Sequence, residues 1–330
     1  MMKLDLMQAV LSEKTAAGEV PFVNRVLNHW AHEPGSAKFV RASANFVFSF
    51  TDAGRKRFLR LTSASQRTPD QILAEVNFVK FLHARGLHVA RIISTIRGED
   101  LVALNVPHGD FYVVAFEGLR GGHLEDSVPK PVQFARWGAA LGALHNAAST
   151  FDTQAPFVRP IWSQILGAMD AQLPASEVAA RAECQRLAAE MATWTSIRDN
   201  FGLIHGDFEL DNLLWSDKRP GMIDFDDCML HWFSADIAFS IGRWLIQERG
   251  RFDSMDNAAI AFLSGYRTQR TIEPEDLACI PVHLRFHNLM TFARLLTAVT
   301  QPVSAGEFTW MPALREKLIV AMQACRQNFA

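Results

Sequence analysis

The chain has 330 residues, enough for one large or two moderate domains, and its 49% apolar and 21% charged residues are the balance of a folded rather than a disordered protein. A formal net charge of −2 advertises no field for nucleic acid, and no apolar run reaches the roughly eighteen residues of a membrane span. Widely spaced Cys184, Cys228, Cys279 and Cys325, with acidic residues inside the apolar N-terminal stretch, fit free thiols in a cytoplasmic protein without a signal peptide.

Residues up to about 32 read as one or two short helices, broken by Glu33-Pro34-Gly35-Ser36. Strands are predicted at 39–41, 46–50 and 57–61, with a hairpin turn at 52–55. Thr68-Pro69-Asp70 then opens a helix in which Ile72, Leu73, Val76, Val79 and Leu82 recur at helical spacing, ending near Gly86. Segments 89–93, 101–106 and 111–116 complete an antiparallel sheet of about five strands. Glu75 lies on or beside the buried stripe of the helix, where an unpaired carboxylate is costly. Arg60, in the third strand, is its expected partner.

From Pro131 the pattern turns helical. A helix to about residue 149 carries Phe134, Trp137, Leu141, Leu144 and His145 on one face, where His145 reads as a satisfied core histidine. Further helices are predicted at 161–173, 177–200, 237–246, 257–266, 274–298 and 312–327. Arg285, Phe286, His287 and Asn288, on the sixth of these seven helices, are candidates to reach a bound substrate.

Between these helices, residues 203–227 carry the chemistry. His205-Gly206-Asp207 is followed five residues after the aspartate by Asn212, then by Ile223-Asp224-Phe225-Asp226-Asp227, with a turn at 217–221. Short apolar runs bracket each polar cluster, so the layout of strand, polar loop, strand, turn and strand gathers Asp207, Asn212 and Asp224 at one end of a hairpin. Three oxygen donors at one point suit a hard divalent cation and a phosphate chain. Phosphoryl transfer needs these parts: a carboxylate for the proton of the acceptor, and an Asn and an Asp for magnesium. Alternation along the last strand puts Asp226 on the side of Asp224, in reach of a second metal or a cationic substrate, and Glu209 is a second candidate for substrate contact. His108-Gly109-Asp110 repeats the tripeptide, but the residue five beyond Asp110 is Ala115 and a strand-like run intervenes, so this copy reads as a hairpin turn.

The pattern His-Gly-Asp-x-x-x-x-Asn followed by Ile-Asp-x-Asp resembles the aminoglycoside phosphotransferase and choline kinase-like superfamily, small-molecule relatives of protein kinases. Residues 225–238 look most like uncharacterised bacterial members, with homoserine kinase-like and stress-response-kinase-like proteins as neighbours. The resemblance implies an α+β, two-lobed protein-kinase-like fold. A small antiparallel β-sheet lobe with one helix and a short helical extension would span residues 1–117, and a larger, mainly helical lobe with the catalytic loop and acceptor site 118–330. It implies Asp207 as catalytic base, Asn212 and Asp224 as ligands of Mg2+, and ATP or GTP as co-substrate. Arg60 and Glu75 would position its phosphates, His205 and Asp236 would support the catalytic loop, and the backbone of Glu117 and Gly118 would meet the nucleotide base.

One departure concerns the phosphate lid. No Gly-x-Gly-x-x-Gly is present; the equivalent turn is 41–46, where Ser43 and Asn45 add polar groups to backbone amides. The implied partners are a nucleotide and a small hydroxylated acceptor, without nucleic acid or membrane, and the motif reports the chemistry rather than the acceptor. Other classes stay open: a nucleotide-binding regulator that has lost transfer (a pseudokinase), a kinase of protein Ser or Thr, and a metal-dependent phosphatase. Intact Asp207, Asn212 and Asp224 oppose the first, and a phosphatase would have no need of Arg60 and Glu75.

Overall fold

The computed structural model describes residues 2–15, 20–124, 129–153, 157–197, 199–216, 219–248, 251–255, 257–300 and 307–329. The chain forms two units: Met1–Asn77, Ala90–Gly118 and Arg294–Ala324 in one, and Phe78–Val89, Leu119–Ala293 and Cys325–Ala330 in the other.

The first unit holds helices α1 (Leu4–Ser12) and α2 (Pro21–Leu27), then strands β1 (Lys38–Ala42), β2 (Phe46–Asp52) and β3 (Arg55–Ser63). Helix α3 (Pro69–Ala84) follows, then β4 (Ile92–Ile93), β5 (Val102–Val106) and β6 (Gly109–Glu117). All six strand segments pair antiparallel, in the order β1-β2-β3-β6-β4 with β5 on β6, so the sheet has six strands rather than about five. Alternation sorts its faces. Phe48, Leu59 and Ala115 stand in register across three strands, and with Phe46, Phe50, Leu61 and Val113 they bury against Val10, Phe22, Val26 and Trp30 of the N-terminal segment. Arg60 and Thr62 therefore point to the opposite face. Helix α3 starts on a reciprocal cap, Gln71 N–H to Thr68 Oγ1 and Thr68 N–H to Gln71 Oε1. It gives way to Gly86 at φ +79°.

The second unit contains α4 (Pro131–Ala148), α5 (Trp162–Gln172), α6 (Val178–Met191), β7 (Phe201–Ile204), β8 (Leu213–Leu214), β9 (Gly221–Met222), β10 (Met229–Trp232) and α7 (Phe233–Ile241). Strands β11 (Leu245–Glu248) and β12 (Arg251–Met255) and helix α8 (Asn257–Arg267) come next, then α9 (Pro274–Ala278), α10 (Ile280–Val299) and α11 (Met311–Gln327); the division into units runs through α3, α10 and α11.

Three predicted helices end differently from expectation. α6 stops at Met191 instead of running to 200, because Trp194 turns in against Trp232 and His283. α7 gives way at Gly242 to a 3-10 turn, where Trp244 packs edge-on against Phe134 and Trp137, and Ile246 lies in β11. The helix expected over 274–298 is two, since Pro281 has no N–H to continue α9 into α10. Among the described residues no helix is long and apolar enough to cross a membrane.

Candidate active site

Strand β7 pairs antiparallel with β10, Ile204 opposite Met229, and delivers His205 at its end. Gly206 takes φ +81°, and a Cβ there would lie 2.3 Å from the carbonyl oxygen of Asp227, so only glycine lets the two segments approach. A 3-10 turn, Leu210–Asn212, follows. It returns Asn212 to Asp207: the amide Nδ2 donates at 2.8 Å to both the backbone oxygen and Oδ2 of Asp207. These two bonds commit Nδ2, and Oδ1 is the amide's remaining polar atom.

Asp224 comes to the same place by two ties on its neighbour Ile223. Ile223 N–H donates to Asn212 O at 3.0 Å, and His205 Nε2–H donates to Ile223 O at 3.1 Å. Asp207 N–H donates to His205 Nδ1 at 3.3 Å, which fixes a single neutral tautomer for the buried ring. Phe225 and Phe208 pack on that ring. Asp224 sits at φ +64°, in the left-handed region that residues other than glycine adopt uncommonly and aspartate more readily than most. The structure thus brings Asp207, Asn212 and the backbone leading into Asp224 together.

The positive φ of Asp224 overturns one step of the sequence reading. Strand β9 ends at Met222, and a turn follows at Asp226–Asp227, so period-two alternation does not relate Asp226 to Asp224. Asp226 is buried. Its backbone oxygen accepts from Arg159 Nη2, while Arg159 Nε donates to Cys228 O at 2.7 Å. Arg159 has no spacing signal in the sequence, because its partners are backbone carbonyls almost seventy residues away. In the turn expected at 217–221, Asp217 and Lys218 lie outside the described residues.

Asp236, in the first turn of α7, is fully buried and receives two backbone donors of the loop: His205 N–H on Oδ2 at 2.8 Å and Gly206 N–H on Oδ1 at 3.0 Å. Glu209 is half-buried; burial raises its carboxyl above the usual range, against the pull of the Arg243 cation. Arg285 is committed to Glu183 at 2.6 Å and Glu190 at 2.9 Å, Asn288 donates to Cys325 O, Phe286 packs on His231, and His287 stacks on Phe239. This quartet is occupied within the helical packing.

In the first unit, Arg60 and Glu75 form a bidentate pair, Nη1 to Oε1 and Nη2 to Oε2 both at 2.7 Å, with both side chains buried and the guanidinium over the ring of Phe116. Ser43 and Asn45 lie in the β1–β2 turn, where Ser43 N–H donates to Asn45 O and Asn45 is buried. Glu117 N–H donates to Arg91 O and Gly118 N–H to Lys56 O, so both amides are committed within the protein. The Glu117 carboxylate pairs with Arg57 and Arg91, which hold it below the usual range despite its partial burial. The second His-Gly-Asp copy is a hairpin turn: Gly109 at φ +127° opens β6, and Asp110 accepts from Asn105 across the turn.

Residues 36–271 match the model of the phosphotransferase enzyme family. The chain belongs to that family. It is 24% identical over 274 residues to the amicoumacin kinase of Bacillus subtilis (strain 168), covering 78% of this chain and 79% of that protein. It is 32% identical over 159 residues to the homoserine kinase of Methylorubrum populi, covering 45% and 46%. The solved structure of an amicoumacin kinase in complex with AMP-PNP, Ca2+ and Ami superposes with a TM-score of 0.78 at 21% identity over 96% of this chain and 95% of that one. The kinase-like α+β fold is therefore this phosphotransferase's own.

Proposed function

We propose that this phosphotransferase moves the γ-phosphate of ATP to a hydroxyl of a small molecule, with Asp207 as base and Asn212 and Asp224 as protein ligands of Mg2+. The observation that carries this reading is the clamp of Asn212 on Asp207, which commits the amide nitrogen, so that the amide oxygen would be the end to hold a cation, and fixes the carboxylate beside it. An amide oxygen and one aspartate form a hard, all-oxygen donor set of the kind magnesium completes with phosphate and water. Among the described residues no group of three or more His, Cys, Asp or Glu offers an alternative metal cage. When bound, the ion would neutralise charge on the transferring phosphoryl group.

The chain supplies position and a proton acceptor. Asp207 takes the proton of the acceptor hydroxyl as its oxygen bonds to the γ-phosphorus and the bond to the departing ADP breaks. Arg60, oriented by Glu75, takes phosphate oxygens; Ser43, Asn45 and the Glu117–Gly118 backbone, through carbonyl oxygens since both amides are committed, are assigned to the nucleotide. Glu209 and Asp226 are assigned to the acceptor side, and a half-buried carboxyl such as Glu209 suits an acceptor that carries an amine. Support for a small acceptor comes from the relatives, whose names make them kinases of amicoumacin and homoserine.

The test is thermal. ATP with magnesium raises the melting temperature by mass action, and Asp224→Ala loses the magnesium-dependent part. ATP consumption against a panel of hydroxylated metabolites then identifies the acceptor. An undiminished magnesium response in Asp224→Ala would show the metal to be held elsewhere.

A further inference from the structure

The backbone of Asp224 is tied on both sides. Before it, Ile223 is bonded to Asn212 and His205. After it, Cys228 N–H donates to Phe225 O at 3.0 Å and closes a turn, and three successive carbonyls of that turn meet other segments. Arg159 Nη2 donates to Asp226 O, and Arg159 Nε donates to Cys228 O at 2.7 Å. The carbonyl between them, Asp227 O, lies against Gly206, where a Cβ would stand 2.3 Å away. One planar guanidinium thus bridges two alternate carbonyls just past Asp224, while the middle one packs on the catalytic loop.

The segment that carries Arg159 is itself anchored. Leu230 N–H donates to Pro160 O at 2.9 Å and Ile161 bridges Leu230 in parallel, so residues 160–161 run beside β10. Trp162, at the start of α5, packs on Trp232 with ring centroids 5.5 Å apart. Arg159 is only 6% exposed, and a buried cation is costly unless its donors find acceptors. Lysine is no equivalent here, because its ammonium lacks the fixed fork that reaches two carbonyls at once.

We propose that Arg159 is a positioning residue of the metal site: its guanidinium fixes the backbone of Asp226–Cys228 and so keeps Asp224 in the left-handed conformation on which its affinity for Mg2+ depends. That conformation is sparsely populated by residues with a Cβ. Released on one side, residue 224 relaxes toward the commoner backbone regions, and its carboxylate changes direction. The role toward the metal rests on the reading of Asp224 as a ligand; the hold on the turn does not.

Two variants test it. Arg159→Lys keeps the charge and one donor, and Arg159→Met keeps much of the length and removes both. Amide hydrogen exchange at Cys228, measured against the α8 amides of the same sample, reads the turn without any metal. Losing one such hydrogen bond speeds exchange about tenfold in Arg159→Lys, and Arg159→Met exceeds it. In a magnesium titration of the thermal shift at fixed ATP, the midpoint rises by a similar factor in Arg159→Lys and further in Arg159→Met. The shift produced by ATP without magnesium stays that of the parent. A general loss of stability would lower every melting temperature and leave the magnesium midpoint in place. Unchanged Cys228 exchange in folded Arg159→Lys overturns the proposal, as does an unmoved midpoint beside a parent response that Asp224→Ala abolishes. An undiminished magnesium response in Asp224→Ala, with Cys228 exchange faster in both Arg159 variants, counts against the metal reading of Asp224 and leaves the hold on the turn standing.

Discussion

At the residue scale, Asp207 and Asp110 share the tripeptide His-Gly-Asp and differ in what faces them. Asp207 has the Asn212 amide on its oxygens, whereas Asp110 closes a hairpin against Asn105. Asp207→Asn keeps the size but removes the proton acceptor, so turnover falls by about two to four orders of magnitude with little change in nucleotide affinity. Asp110→Asn alters stability by no more than about 0.5 kcal/mol and leaves turnover intact. Steady-state kinetics of the two variants side by side decide; equal losses would place the base elsewhere. Arg60 and Glu75 are buried together, so removing Arg60 leaves the Glu75 carboxylate buried without its guanidinium and costs roughly 3–5 kcal/mol. The double-mutant cycle Arg60→Ala/Glu75→Ala, followed by urea unfolding, shows a coupling of about 0.5–3 kcal/mol; additive single effects would mean the two do not interact in solution.

At the element scale, the crossing of α4 and α8 depends on glycines that have no substitute. Gly265→Ala drives a Cβ into the Ala135 backbone, which cannot swing aside as a side chain would, and destabilises by about 1–3 kcal/mol or more. Gly167, exposed in α5, has nothing within 4 Å of where a Cβ would stand. Gly167→Ala there gains up to about 1 kcal/mol from helix propensity alone. Urea unfolding of the two variants makes the comparison, and a neutral Gly265→Ala would contradict the close crossing.

At the scale of the whole molecule, buried neutral imidazoles set the response to acid. His283 on α10 and His231 on β10 pack edge to face at 5.2 Å with no exposure. Burial lowers His283 from 6.5 to about 3 and takes His231 well below 6.5, with the His283 charge a smaller cause for the latter. Between pH 6.5 and about 3 the unfolded chain binds a proton at His283 that the native state refuses, and His231 acts in the same direction below pH 6.5. The unfolded state then holds more protons, stability rises with pH across the window, and it is lost as the pH falls. Each such ring contributes up to about 1.4 kcal/mol per pH unit. His283→Gln, measured by urea unfolding at pH 7 and pH 5, flattens this dependence; an unchanged slope would mean that other groups set it.

What the sequence determined by itself is whatever a short period or a fixed spacing encodes. Alternation marked the strands, helical recurrence in 72–82 marked α3, and Asn212 at five residues from Asp207 separated the His-Gly-Asp that this amide clamps from its copy in a hairpin, because these signals span less than one element. Composition could also demand a partner for Glu75, since a buried carboxylate is costly wherever it lies. Tertiary structure decided the rest. The ends of α6 and α7 follow from where Trp194 and Trp244 pack, and the left-handed backbone of Asp224, which ends strand alternation before Asp226, accompanies the ties of Ile223 to Asn212 and His205. The hydrogen bonds of Arg159 to Asp226 and Cys228, and those of His145 to Tyr266 and Asp236, join residues 67 to 121 positions apart. Such contacts leave no period in the sequence. Their geometry exists only once helices cross and loops close, where burial makes each unpaired polar group too costly to leave unmatched.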